Sequence, residues 1–209
     1  MDADGKNPTP LPAPIADGED YDPTWSPDGK SIAFTSLRNK VSHIFVFSFD
    51  ANQLQEYSDS RYPDMNPVWH PSGKQLFFVR NIFYNHIYAM SDKGQTLFQM
   101  SSSGDVDDLF PTFSPDGERV AFVRKNNLFV CSLRFGTERQ ITTDGEFNKI
   151  INGAPDWVYE EEFEFNKGFE WSPDSKQLAY MKFNEERVRL YSMPIYKGSN
   201  PEKKNLTIG

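Results

Sequence analysis

Apolar and polar residues alternate along this chain in short runs, each bounded by turn-forming residues. Residues 32–34 and 120–122 are clear cases, and such alternation predicts strands with one buried face. Each of these runs follows a turn of the S-P-D-G type. In the first turn Pro27 presets φ, Asp28 bonds its own backbone and Gly29 takes a positive φ. An aromatic residue ends the strand before each turn: Trp25, Trp69, Phe113 or Trp171. A third strand is predicted by "HIFVFSF" from His43, "HIYAM" from His86, "NLFVCSL" from Asn127 and "RVRLYSM" from Arg187. Weaker fourth strands are predicted near Leu54, Leu97 and Ile141.

These elements recur as a unit. The turn residues Ser26, His70, Ser114 and Ser172 stand 44, 44 and 58 residues apart. Repeats of that length with β content predict propeller blades, whose aromatics pack between neighbouring sheets. The expected fold is all-β: a partial β-propeller of about four four-stranded blades, with an acidic loop or short-helix insertion. Residues 22–65, 66–109, 110–167 and 168–209 are read as successive blades, and 1–21 as the end of a preceding one. Both ends fall mid-pattern, so a fragment of a larger propeller is expected; a closed four-bladed ring is the alternative. An open blade face would favour self-association.

Bulk properties narrow the function. The 209 residues carry a net charge of −8, which argues against a nucleic-acid partner. No run is long and apolar enough for a membrane-spanning helix. Cys131 is the single cysteine, which removes internal disulfides and thiolate zinc clusters. His43, His70 and His86 are scattered over the repeats, without metal-ligand spacing or a Ser-His-Asp set, and are read as packing or surface residues. "DVDD" from Asp105 is read as a solvated turn. No G-x-S-x-G elbow occurs, so no hydrolase nucleophile is expected, and no cofactor or metal.

The longer third spacing points to an insertion at residues 153–166, containing "DWVYEEEFEF". Three adjacent glutamates suit a solvated face or a pocket for a cation. An extended run would place Glu161 on one face and Glu160, Glu162 and Glu164 on the other. A helical turn would separate neighbours by about 100°, so that two could reach one opening. Asp156 is expected to cap such a turn, with Trp157 and Tyr159 anchoring it.

The S-P-D-G blades and "MDADGKNP" resemble TolB-like propeller repeats. Residues 126–196, with "INGAPDWVYEEEF", resemble the N-terminal propeller of dipeptidyl peptidase IV and its bacterial relatives in the prolyl oligopeptidase family. That resemblance implies a non-catalytic propeller that caps an α/β-hydrolase domain and filters substrates. It implies that Glu161 and Glu162 bind the free N-terminal ammonium of a peptide, and that the parent protein is periplasmic or secreted. It also implies an arginine from another blade that orients the peptide; the motif does not place it here, and Arg80, a weak candidate, is left out. A chain of this kind would hydrolyse nothing alone. A TolB-like, protein-binding propeller with no enzymatic role is the alternative, and a recombined array of blades is a third reading.

Overall fold

A computed structural model describes residues 6–8, 10–11, 18–58, 61–101, 103–163, 165–189, 191–197 and 200–208; the side chains at 157, 161, 163 and 191–208 lie outside that description. Most of the expected tail of a preceding blade, residues 1–12, also lies outside it. The first sheet joins β1 (Glu19–Trp25), β2 (Ser31–Arg38), β3 (Val41–Ser48) and β4 (Gln53–Glu56) in chain order. The second joins β5 (Asp64–Trp69), β6 (Gln75–Asn81), β7 (Asn85–Ser91) and β8 (Thr96–Gln99). The third joins β9 (Asp108–Phe113), β10 (Arg119–Arg124), β11 (Asn127–Ser132) and β12 (Thr137–Gln140). All three are antiparallel meanders, the blade unit of a partial β-propeller.

The remaining elements are β13 (Ile150–Asn152), α1 (Trp157–Phe163), β14 (Phe169–Trp171), β15 (Leu178–Tyr180), β16 (Lys182–Asn184), β17 (Tyr191–Lys197) and β18 (Asn200–Ile208). Here the fourth repeat departs from the plan. β14 and β15 form its hairpin, but β16 pairs with β13, which lies just before the insertion, and β17 pairs with β18. The strand expected from Arg187 starts at Tyr191. Backbone bonds explain the diversion. Gly168 N donates to Gly153 O at 2.9 Å, Met181 N to Gly168 O at 2.7 Å, and Gly153 N to Met181 O at 2.9 Å. The insertion is thereby woven into the fourth repeat. Gly153 sits at φ 78°, where an added Cβ would lie 2.7 Å from Leu128, so both conformation and space require glycine.

The turns form as their sequence dictates. Ser26 Oγ donates to Asp28 Oδ1 at 2.6 Å, Lys30 N donates to the same carboxylate at 3.1 Å, and Gly29 takes φ 68°. Ser114 and Asp116 repeat this at 2.5 Å, and Ser172 and Asp174 at 2.7 Å. In the second turn His70 Nδ1 accepts from Ser72 N at 3.0 Å instead. Ser175 occupies the glycine position of the last turn at φ 62°.

The blades pack through the inner-strand aromatics. Trp69 buries against Ala33, Ile44 and Val46 of the first sheet. Phe113 buries against Phe77, Val79 and Ile87 of the second, and Trp171 against Ala121, Val123 and Leu128 of the third. Consecutive residues serve opposite interfaces: Phe77 faces the third sheet and Phe78 the first. Cys131 lies within the second interface, where burial raises its thiol pKa.

A second repeated device escaped the sequence reading. Asp20, Asp64 and Asp108, at the starts of inner strands, bind Arg38, Arg80 and Arg124 at 2.9, 2.7 and 2.6 Å. The Asp64–Arg80 pair is bidentate, its second bond 2.8 Å long, and both Asp64 and Asp108 are fully buried. Arg80 also lies over the rings of Phe78 and Tyr88. It is therefore committed to its blade. The expectation of a solvated "DVDD" turn is corrected at Asp108, which also accepts from Ser103 Oγ at 2.7 Å. The histidines are likewise held: His43 Nδ1 lies 2.7 Å from Ser58 O, His70 Nε2 3.1 Å from Gly117 O, and His86 Nδ1 3.4 Å from Asp108.

One contact crosses the assembly. Asp22 in β1 accepts from Asn66 Nδ2 of β5 at 2.7 Å and from Asn166 Nδ2, just after α1, at 2.9 Å. Burial raises the Asp22 pKa, against the lowering effect of those hydrogen bonds. A raised carboxylate contributes stability below its unfolded value and loses it as pH rises through the folded value.

Two outcomes follow from this packing. Asp64→Ala removes the buried carboxylate that Arg80 bonds twice and costs about 3–5 kcal/mol in urea unfolding, whereas Asp50→Ala at the exposed Lys30–Asp50 pair costs less than about 1 kcal/mol. The stability of the unsubstituted chain relative to Asp22→Ala rises on acidification from neutral pH through the raised Asp22 pKa; a difference that shrinks on acidification contradicts the assignment.

Candidate functional site

Strand direction fixes where the insertion emerges. β10 ends at Arg124 opposite the start of β9 at Asp108, and β12 ends at Gln140 opposite Phe129, near the start of β11. The chain leaves the third blade at that rim and re-enters at β14, so residues 141–168 lie there. The β2–β3, β6–β7 and β10–β11 turns share this rim; the S-P-D-G turns occupy the other.

The acidic run is helical. Asp156 caps α1, its Oδ1 accepting from Tyr159 N at 3.0 Å while its carbonyl accepts from Glu160 N at 3.0 Å. A carboxylate at that end also suits the helix dipole. Phe165 N closes the helix onto Tyr159 O at 3.2 Å. Tyr159 packs on Phe183 of β16 with ring centroids 5.2 Å apart, which ties the helix to the β13–β16 ladder and fulfils its expected anchoring role.

Glu161 and Glu162 occupy successive backbone positions of this helix, which turns by about 100° per residue. Glu160 and Glu162 are exposed; the side chain of Glu161 lies outside the described ones, as does that of Trp157. The run is thus no extended strand that would split the pair onto opposite faces. It is a short capped helix on one rim, with carboxylates turned to solvent. Such groups can accept hydrogen bonds from an ammonium or guanidinium.

The base of the insertion is rigid. Asn152 is fully buried; its backbone N and its Nδ2 donate to Asn126 O at 3.0 and 3.2 Å, and Nδ2 also donates to Asp144 at 3.0 Å. Asp144 pairs with Lys182, which lowers its carboxyl pKa and holds the insertion against β16.

Two features of this rim were missed in the sequence. Glu185 is buried beside the start of α1, and desolvation, followed by the charge of Asp156, raises its pKa. Its signal, a glutamate after a short strand, is too ordinary to single out. The β6–β7 turn carries Ile82, Phe83 and Tyr84, with Phe83 88% exposed. The exposure is visible only once the hairpin register Asn81↔Asn85 is known. Among the described residues no group of three or more His, Cys, Asp or Glu side chains is placed to hold a metal ion, and no helix is long and apolar enough to cross a membrane.

Comparison with known proteins places this architecture. The chain is 41% identical over 97 residues to a probable dipeptidyl peptidase 4 of Aspergillus clavatus, covering 46% of this chain and 12% of that protein. It is 35% identical over 137 residues to a dipeptidyl peptidase 4 of Trichophyton tonsurans, covering 65% of this chain and 17% of that protein. The crystal structure of Porphyromonas gingivalis dipeptidyl peptidase 4 matches with a TM-score of 0.65 and 30% identity, over 88% of this chain and 28% of that one. TolB from Acinetobacter baumannii matches at 20% identity with a TM-score of 0.57, over 91% of this chain and 41% of that one, a likeness of fold alone. The chain therefore spans well under a third of the peptidases it matches. Residues 83–207, which hold the third blade, the insertion and α1, match the family described as the Dipeptidyl peptidase IV (DPP IV) N-terminal region, and the chain belongs to that family.

Proposed function

We propose that this chain is the non-catalytic, peptide-binding propeller segment of a dipeptidyl-peptidase-IV-like serine exopeptidase, acting in the periplasm or outside the cell. Glu161 and Glu162 are its recognition residues. The observation that carries this reading is the capped helix: a glutamate run that alternation would have divided is wound into one turn and held on one rim.

Two carboxylates facing one ammonium accept its N–H donors and offset its desolvation. Each such bond contributes about 1.5–3 kcal/mol in a shielded site. A peptide held by its N-terminus is measured from that end, so the clamp sets which bond reaches a nucleophile supplied by an α/β-hydrolase domain. The rigid base at Asn152 and Gly153 suits this role, because a ruler must not move.

The test is binding of a short X-Pro peptide by calorimetry, with its N-terminus free or acetylated. The free peptide binds more tightly to the unsubstituted chain, and Glu161→Gln/Glu162→Gln weakens it by about tenfold to a hundredfold while leaving the acetylated peptide unchanged. Affinity for the free peptide falls above about pH 8, where the α-amino group loses its proton. Equal binding of both peptides, or equal loss of both in the variant, would sink the clamp and favour a propeller that binds a protein partner.

A further inference from the structure

The inner strands of the first three repeats share an irregularity that the S-P-D-G pattern does not explain. Each pairs with its neighbour through a break in register, between Tyr21 and Thr24, between Met65 and Val68, and opposite Ala121–Val123. One residue in each break takes a left-handed backbone: Asp22 at φ 53°, Asn66 at φ 51° and Phe110 at φ 58°. These are the same repeat position, and the fourth repeat carries Gly168 there. A bulge of this kind turns a side chain out of the regular ladder. At Asp22 it turns a carboxylate toward two amide donors, Asn66 Nδ2 at 2.7 Å and Asn166 Nδ2 at 2.9 Å. Asn66 is itself held from behind, its backbone N donating to Oγ1 of the buried Thr35 at 3.1 Å.

Asn166 lies three residues beyond the end of α1. A helix of seven residues does not hold its own shape in water, so its ends must be held by what they touch. The first end is fixed by the Asp156 cap and by Tyr159 on Phe183. The second runs through Phe165 N, which bonds Tyr159 O, directly into Asn166. The next residue, Lys167, reaches Thr112 Oγ1 of β9 at 3.4 Å. Residues 166 and 167 thus rest on the inner strands of the first and third blades. Only an acceptor without N–H groups can satisfy both donors at Asp22. An amide there would accept from one of them and set its own NH2 against the other.

We infer that Asp22 is a positioning residue for the carboxylates of α1: through Asn166 it holds the second end of the helix, and so sets how Glu161 and Glu162 meet a peptide N-terminus. The inference rests on the reading of Glu161 and Glu162 as an ammonium clamp.

Three variants test it: Asp22→Asn, Asn166→Asp and the two together. Each is followed by hydrogen exchange of the α1 amides and by calorimetry with a free and an N-acetylated X-Pro peptide. Either single variant speeds exchange in α1 by about tenfold, leaves the β2, β6 and β10 amides protected, and weakens the free peptide by about tenfold with the acetylated one unchanged. The double variant restores both readouts, because the amide at 22 then donates to the carboxylate at 166 and still accepts from Asn66. Unchanged α1 exchange in the single variants overturns the inference, and so does a double variant that behaves as the sum of the two. Faster exchange with an unaltered preference for the free peptide overturns the positioning role and leaves a structural tie. Equal binding of the two peptides by the unsubstituted chain instead overturns the clamp, while α1 exchange still decides whether Asp22 holds the helix.

Discussion

The burial of Trp69, Phe113 and Trp171, each on the preceding sheet, is the interaction on which the rest of this structure depends. The first three sheets are four strands wide, and the hairpins of the fourth repeat, two strands each, would be marginal alone. A blade's two faces are filled from different sides, so no blade completes its core without a neighbour. Phe77 and Phe78 show the consequence most directly: adjacent in sequence, both fully buried, and committed to different interfaces. The turn that follows the aromatic fixes its angle of entry, which is why the serine–aspartate hydrogen bonds recur with nearly the same length.

Much of this was legible in the sequence because it repeats. Aromatic, proline, aspartate and glycine at fixed offsets identify a strand, a turn and a second strand without reference to the rest of the chain. The Asp–Arg pairs also recur, at Asp20, Asp64 and Asp108, but the reading weighed Arg80 alone as a ligand for peptide. An arginine and an aspartate sixteen residues apart look unrelated until the hairpin register brings Arg80 opposite Asp64. The fourth repeat was misjudged for a different reason. Its second strand is split, β15 pairing with β14 and β16 with β13, and local pattern carries no information about such a division of partners. The helix of the site was foreseen as a choice between turn and strand; its cap at Asp156 settles that choice.

Buried charge and exposed charge on this rim differ in their partners. Asp64 and Asp108 are neutralised by guanidinium groups within the blades. Glu160 and Glu162 stand in solvent on a helix whose base is rigid.

The hydrogen bond from Asn166 to Asp22 spans 144 residues, whereas the Asp–Arg pairs within blades span 16 or 18. Loop closure of that length is slow relative to hairpin formation, so the blades order first and the rim is tied last. The chain therefore separates two time scales by sequence distance alone, with a scaffold that is kinetically local and a rim that is kinetically remote.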